Sequence, residues 1–259
     1  MYGVNATAKS YNAYDQLDTT PQGGLTSAQY LWKQYSASIS LSGRELRQNA
    51  GKEGIIKLLE AKTKQAEMSL ARQLDIDLWA AAQVTGAIGA LPVIVDDTGT
   101  VGDVAGSTQT WWRSTDTAGG SFAARGLSDM RALYNTIQNT SQENGAPDFV
   151  IGAQGAFEFY EASLQPQQRF SDEKMAGAGF QNLRYKAAPV TFGSNVPSGT
   201  IYMLRSENLW LVCHSQAQFA TTEFVKPSNQ DAKVAQILFM GEVVTDNRRK
   251  LGRIVSITA

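Results

Sequence analysis

Between Gly51 and Ala82, apolar side chains recur at Ile55, Leu59, Ala66, Leu70, Leu74 and Leu78. Steps of four and seven keep these positions on one face of a helix with ~3.6 residues per turn. Glu53/Lys57 and Glu60/Lys64 stand i,i+4 with the acid first, the orientation that best supports a helix. No Pro interrupts the stretch, and after Gly54 the next glycine is Gly86. At ~1.5 Å per residue, about 30 residues make a rod roughly 45 Å long. Globular helices average only ~11–12 residues. The stripe is too broad and mixed for a coiled-coil seam, so the pattern predicts a spine lying across a sheet.

Upstream the period changes to two. Tyr30, Trp32 and Gln34 alternate with Leu31, Lys33 and Tyr35, and then Ser36, Ser38 and Ser40 with Ala37, Ile39 and Leu41. This predicts a strand. Pro21-Gln22-Gly23-Gly24 is a turn signal. The segment before it can pair with Tyr30–Leu41 as the other arm of an extended hairpin, or the strand can be half of an ordinary sheet. A lone hairpin is marginal in water, so the aromatic content of this arm points to something else beneath it, such as another copy of the chain. Ser42 with Glu45 fits a capping box opening a short helix to Gln48, after which Asn49 can cap the spine.

Downstream, Thr85–Gly126 reads as long loops and short strands around the apolar run Leu91–Val95. Leu127–Thr140 is a helix with Ser128 as cap and Met130, Leu133, Tyr134 and Ile137 on one face; Gly145-Ala146-Pro147 ends it. Asp148–Ile151 is a buried strand and Gln154–Leu164 a second helix. Gln165–Gly179 is polar and flexible, and Phe180–Thr191 points Leu183 and Tyr185 inward before turning at Pro189. Val196-Pro197-Ser198-Gly199 is a β-turn, followed by strands Ile201–Leu204 and Leu209–Cys213. Phe224–Gln230 is a loop. Lys233–Thr245 is an unusually long strand, Asp246–Lys250 a basic turn and Gly252–Thr258 the returning strand. The spine and this last hairpin form one lobe, and Thr85–Phe224 a second.

Composition narrows the function classes. The chain has 259 residues and a formal net charge of -1, so no basic balance marks it for nucleic acid. One Cys (Cys213) excludes an internal disulfide framework, and one His (His214) excludes a multi-His metal site. Adjacent in a strand, these two point to opposite faces and cannot act as a nucleophile–base pair. No apolar run reaches the ~18 residues a membrane span requires, and the N-terminus lacks a secretory pattern. Abundant Gly, Ala, Ser, Thr, Asn and Gln with modest charge suit surfaces buried between subunits.

Three motifs invite chemistry. Gly51-Lys52 lacks the rest of a phosphate loop: Leu46 stands where the first Gly belongs, and Glu53 replaces the metal-binding hydroxyl. Asp97-Thr98-Gly99 after Val93-Ile94-Val95 resembles the turn of aspartic proteases, where two carboxylates share a proton. No second copy of that turn exists in the sequence, and a tight turn is the simpler reading. Trp111-Trp112 can stack a sugar or base, but such pairs are more often buried. Arg248, Arg249 and Lys250 read as a solvated or inter-subunit face. The expectation is therefore no catalytic, cofactor-binding or metal residues, and no enzyme.

The ordered set YDQLDTTPQGGLTSAQY with WKQ, then ISLSGRELRQNAGKEGIIKLLEAKTKQAE, NLRYKAAPV, VPSGTIYMLRSENLWL and TEFVKPSNQDAKVAQILFMGEVVTDNRRKLGRI resembles the major capsid proteins of tailed phages, the fold named after the Hong Kong phage and shared with encapsulins. The resemblance implies an α+β fold: residues 1–41 an extended β-hairpin loop, 42–84 the spine helix of a peripheral domain, 85–224 a mixed α/β axial domain, and 225–259 the closing β-hairpin of the peripheral domain. It implies a structural head protein, self-assembling into hexamers and pentamers of an icosahedral shell around double-stranded DNA contacted non-specifically. Portal, scaffold or decoration proteins are the implied further partners, with assembly in the host bacterial cytoplasm and no membrane. Family members carry an N-terminal arm and a first loop strand ahead of the point where Met1 stands, so the chain is expected to open inside that loop. An encapsulin-type compartment shell, holding an enzyme cargo, is the alternative.

Overall fold

The computed structural model describes residues 7–21, 27–49, 52–139, 145–164 and 183–259, with the backbone alone for 52–57. Gln22–Gly24 of the expected turn, the polar stretch 165–179 and the Ile55 side chain lie outside these residues.

Strand β1 (Lys33–Ser42) runs into α1 (Gly43–Gln48) and α2 (Lys52–Leu78). The capping box forms: Ser42 Oγ accepts the Glu45 N–H at 3.2 Å, and Glu45 Oε2 accepts the Ser42 N–H at 3.0 Å. Asn49 closes α1, its N–H donating to the Glu45 carbonyl at 3.1 Å, rather than opening the next helix. At 27 residues α2 is the expected spine, about 40 Å long at ~1.5 Å per residue. Ala66 and Leu70 are buried, Leu59, Leu74 and Leu78 are half-buried, and Met68 faces solvent. Asp77 is buried on the inner face, where the Tyr35 hydroxyl and the Gln73 amide donate to it at 2.8 and 2.9 Å.

The remaining elements are α3 (Leu91–Ile94), β2 (Thr100–Val101), β3 (Val104–Ala105), β4 (Thr115–Ala118), α4 (Leu127–Asn139), β5 (Phe149–Gly152), α5 (Gln154–Leu164), β6 (Arg184–Tyr185), β7 (Ala188–Phe192), β8 (Ile201–Leu204), β9 (Leu209–Cys213), β10 (Ala220–Thr221), β11 (Ala232–Thr245) and β12 (Gly252–Val255). They make two main sheets. In the first, β11 is central, antiparallel to β1 on one side and to β9 and β10 on the other. The second runs β4-β12-β8-β5-β7-β6, with β4/β12 and β5/β7 parallel. A core of Ile39, Leu70, Ile237, Phe239 and Val243 lies between α2 and the first sheet; another of Met130, Leu133, Ile137, Val150, Met203 and Ile254 lies under α4 and α5. Trp79, just past α2, meets Tyr202 of β8 at 5.4 Å between ring centroids and so ties the spine to the second sheet. No described helix is long and apolar enough to cross a membrane.

Several expectations are corrected. Lys33–Ser42 pairs with β11, from Lys33↔Gly241 to Ser42↔Ala232, and not with the segment before Pro21; the described residues 7–21 contain no strand. The apolar face of β1 (Tyr35, Ala37, Ile39, Leu41) needs the spine beneath it, and β11 offers the pairing edge there. The closing hairpin does not exist either. Residues 252–255 leave the first sheet and pair with β8 and β4 in the second, while 209–221, expected in the axial lobe, pair with β11. Arg248 and Lys250 are fully buried, not a solvated turn. Ser128 does not cap α4: a π-helical turn at Phe122–Gly126 runs into that helix, and Ser128 Oγ donates to the Arg125 carbonyl at 2.7 Å. The turn before β7 falls at Lys186 (φ 53°), leaving Pro189 inside the strand.

Gly252 explains how β12 fits its new sheet. A Cβ there would lie 2.7 and 2.8 Å from the Leu133 and Ile137 methyls, so the missing side chain lets α4 sit directly on the strand. Leu70→Ala should cost about 2–5 kcal/mol by opening a cavity under the spine. Ile76→Ala, on an exposed position of the same helix, should stay within about 0.5 kcal/mol; urea denaturation of both variants is the check.

Candidate functional site

The Asp-Thr-Gly turn lies where the two sheets approach. Asp96, Asp97 and Asp116 each bring a carboxylate oxygen within 4.8 Å of the others, the arrangement of a cation site. The position is already held by Arg253. Its guanidinium donates to Asp116 Oδ2 at 2.5 and 2.9 Å, to Asp96 Oδ1 at 3.2 Å and to the Pro92 carbonyl at 2.6 Å. Asp96 Oδ1 also accepts the Asp97 N–H at 2.9 Å, a local side-chain-to-backbone bond within the turn. Burial works against the charge of Arg253, but the Asp116 carboxylate outweighs it and holds the guanidinium above its ordinary value. Asp97 therefore sits in an ion-paired turn, and the second carboxylate that a shared-proton mechanism needs is engaged by arginine.

Trp112 is buried, with its indole N–H donating to the Val101 carbonyl at 2.9 Å. Trp111 donates to Gln109 Oε1 at 2.7 Å, and the two rings sit 6.2 Å apart in a tilted contact. They pack a loop and offer no paired stacking platform. Cys213 packs against the first core, whereas the His214 ring meets the Trp32 edge at 5.8 Å. β9 ends at Cys213, so His214 lies just past the strand and not beside Cys213 within it as expected. Gly51 lies outside the described residues.

Two buried charges that periodicity did not single out organise the junction. Arg248 donates to the carbonyls of Ile94 (2.8 Å), Gly99 (2.9 Å) and Asp96 (2.5 Å) and lies 5.8 Å over the Trp112 ring. Burial pulls its guanidinium down to about 10. Glu242 is 6% exposed; one oxygen, Oε1, accepts the Gly89 N–H at 2.5 Å and the Val243 N–H at 2.9 Å. β1 stops opposite Gly241, so this carboxylate caps an N–H that a longer strand would have taken. The Tyr30 hydroxyl does the same at Thr245, donating to its carbonyl at 2.9 Å. Burial raises Glu242 above the usual carboxylate value, opposed by the two N–H donors and by Lys33. Tyr30, Lys33, Gln83, Asp103 and Glu242 line a cleft of about 240 Å³. A sequence signal for both groups existed: each is a charge within or beside an otherwise apolar stretch.

Large apolar side chains face solvent on two surfaces. Tyr11, Tyr14 and Leu17 of the arm are 66%, 101% and 59% exposed, and β9 exposes Trp210, Leu211 and Val212. Clustered exposure of this kind marks surfaces that meet other molecules.

No protein-family model and no curated protein matches the chain. Solved structures do. A chain of the cyanophage A-1(L) capsid asymmetric unit superposes with a TM-score of 0.69 at 15% identity, covering 100% of this chain and 86% of that one. A Mycobacterium phage Bobi chain gives 0.57 at 12% identity, over 100% and 83%. The holo-SrpI encapsulin complex from Synechococcus elongatus PCC 7942 gives 0.52 at 10% identity, over 88% and 75%. The chain has the phage major capsid fold, the architecture that this encapsulin also adopts.

Arg248→Met should leave the Ile94, Gly99 and Asp96 carbonyls without their donor and cost about 3 kcal/mol or more, read as a shift of the urea midpoint. Glu242 carries a pH signature. Its folded-state value is raised, so the native state holds a proton that the unfolded chain releases. Stability is greatest below the ordinary carboxylate range and falls as pH climbs through the Glu242 value. Glu242→Gln should melt above wild type at pH 7, and the two melting curves should converge in acid.

Proposed function

We propose that the chain is the major capsid protein of a tailed double-stranded DNA bacteriophage or prophage, a structural subunit that joins copies of itself into hexamers, pentamers and a closed icosahedral shell. The observation that carries this reading is the match of the whole chain to a capsid subunit at a TM-score of 0.69. The exposed aromatic arm supports it. Tyr14 has no cover among the described residues, and a second copy is the simplest source of cover. In this reading α2 and the first sheet form the peripheral domain, and the second sheet with α4 and α5 forms the axial domain, with the boundary crossed again after Thr245. The subunit works by stiffness, not catalysis: a helix of 27 residues packed across a 14-residue strand makes a plate that resists bending. It resides in the virion after assembly in the host cytoplasm, facing packaged DNA without base recognition, with portal, scaffold or decoration proteins as further contacts.

An encapsulin-type shell is the second reading, favoured by the SrpI match. Terminase and portal genes beside this one would support the phage reading, and a cargo-enzyme gene the compartment.

Negative-stain microscopy and sedimentation of the purified full chain test the shared claim. The expected result is capsomers or closed particles. A chain that stays monomeric at every concentration would overturn it.

A further inference from the structure

A cationic corner lies where α1 meets the loop before β11. The backbone fixes its place. The Gly43 N–H donates to the Asp231 carbonyl at 2.7 Å. A Cβ at Gly43 would collide with the Asp231 carboxylate, so glycine lets the helix start directly against that loop. An open cleft of about 640 Å³ remains at the junction, lined by Ser42, Arg44, Arg47, Gln48 and Asp231. Arg44 and Arg47 stand i,i+3 on α1, the spacing of neighbours on one helix face.

Cations outnumber carboxylates at this corner. Asp231 serves two of them: Arg47 Nη2 donates to it, and Lys226 Nζ lies 3.8 Å away, too far for a hydrogen bond. Arg47 Nε also donates to the Gly43 carbonyl at 3.0 Å, which holds the guanidinium in place, while its Nη1 has no acceptor among the described residues. Arg44 is exposed and makes no hydrogen bond or ion pair among the described residues. Glu45, the other acid of α1, is already engaged by the Ser42 N–H and by Lys62.

We propose that this corner binds a phosphate group, with Arg44 and the Nη1 of Arg47 as donors to its oxygens and Lys226 as the flanking charge. A guanidinium suits a phosphate because its fork of N–H donors meets two oxygens at once. Arg47 is held before any ligand arrives, so less freedom is lost on binding. The cleft is open and none of its lining residues is aromatic. It therefore fits one unit of a nucleic-acid backbone and reads no base. The evidence is the charge and geometry of the corner, and it stands apart from the shell reading. Backbone phosphate and free inorganic phosphate are two sources of this one chemistry.

Two probes on the purified full chain separate them: inorganic phosphate by titration calorimetry, and a short random-sequence DNA duplex by fluorescence anisotropy over a range of salt. The expected result is DNA binding whose logarithm falls linearly with that of the salt concentration, with a slope shallower by about 0.9 in Arg44→Gln, the loss of one phosphate contact. Lys226→Gln should change the slope in the same direction and serves should Arg44→Gln misfold. Arg72→Gln is the control: Arg72 is exposed on α2, ten residues or about 15 Å beyond Lys62, and its loss should leave the slope at the wild-type value. Saturable binding of inorganic phosphate that Arg44→Gln abolishes would support the site with the free ion as its source. Equal losses from Arg44→Gln and Arg72→Gln would reduce the effect to diffuse surface charge and overturn the site, as would an unmodified chain that binds neither probe. Particle formation, followed in parallel, tests the shell reading by itself. Arg44→Gln that bound DNA like wild type but formed no particles would make the corner a contact between subunits and overturn the phosphate site.

Discussion

The Arg248 guanidinium fixes how the two halves of the molecule meet. It is fully buried and, among the described residues, in no ion pair, so its five N–H donors must be satisfied by something. The carbonyls of Ile94 at the end of α3 and of Asp96 and Gly99 in the loop after it supply that need. Once they do, the chain emerging from β11 cannot fold back as a hairpin. It passes through a short helical turn, in which Lys250 is buried as well and donates to the Gly145 carbonyl, and enters the second sheet as β12. Arg253 follows in β12 and binds Asp96 of the same loop together with Asp116 of β4.

This route makes the long strand a shared beam. One end of β11 lies over the spine with β1, and the other leads directly into the sheet beneath α4. Trp79 against Tyr202 repeats the link from the helix side. The two halves are thus joined both by the main chain after β11 and by side-chain packing. Burial of Glu242 near this junction works against the fold at neutral pH; it is tolerated because its two N–H partners would otherwise be unpaired.

Side chains take over where the ladders of the first sheet end. Among the described residues, Lys62 and Glu45 cap the outer edge of β1 at Ser40 and Ser42, and Glu242 and Tyr30 serve the backbone of β11 beyond the end of β1.

Local pattern determined a great deal by itself. The step of four and seven placed the spine; Ser42 and Glu45 placed its preceding cap; alternation placed β1, and Met130, Leu133 and Ile137 placed the buried face of α4. These are properties of neighbours in sequence, whose geometry is set by backbone periodicity. The sequence also carried the resemblance to the capsid family, and it argued against Asp97 and Cys213–His214 as chemistry. It could not choose strand partners, because β1 satisfies the same alternation against a preceding arm or against β11. It read Arg248 and Lys250 as surface because charge is normally solvated; in the folded chain the carbonyls of Ile94, Asp96 and Gly99 accept from the first and that of Gly145 from the second. Pairing and burial were decided in the folded molecule, since each depends on groups more than a hundred residues away and on which of two equally patterned edges lies beside the spine.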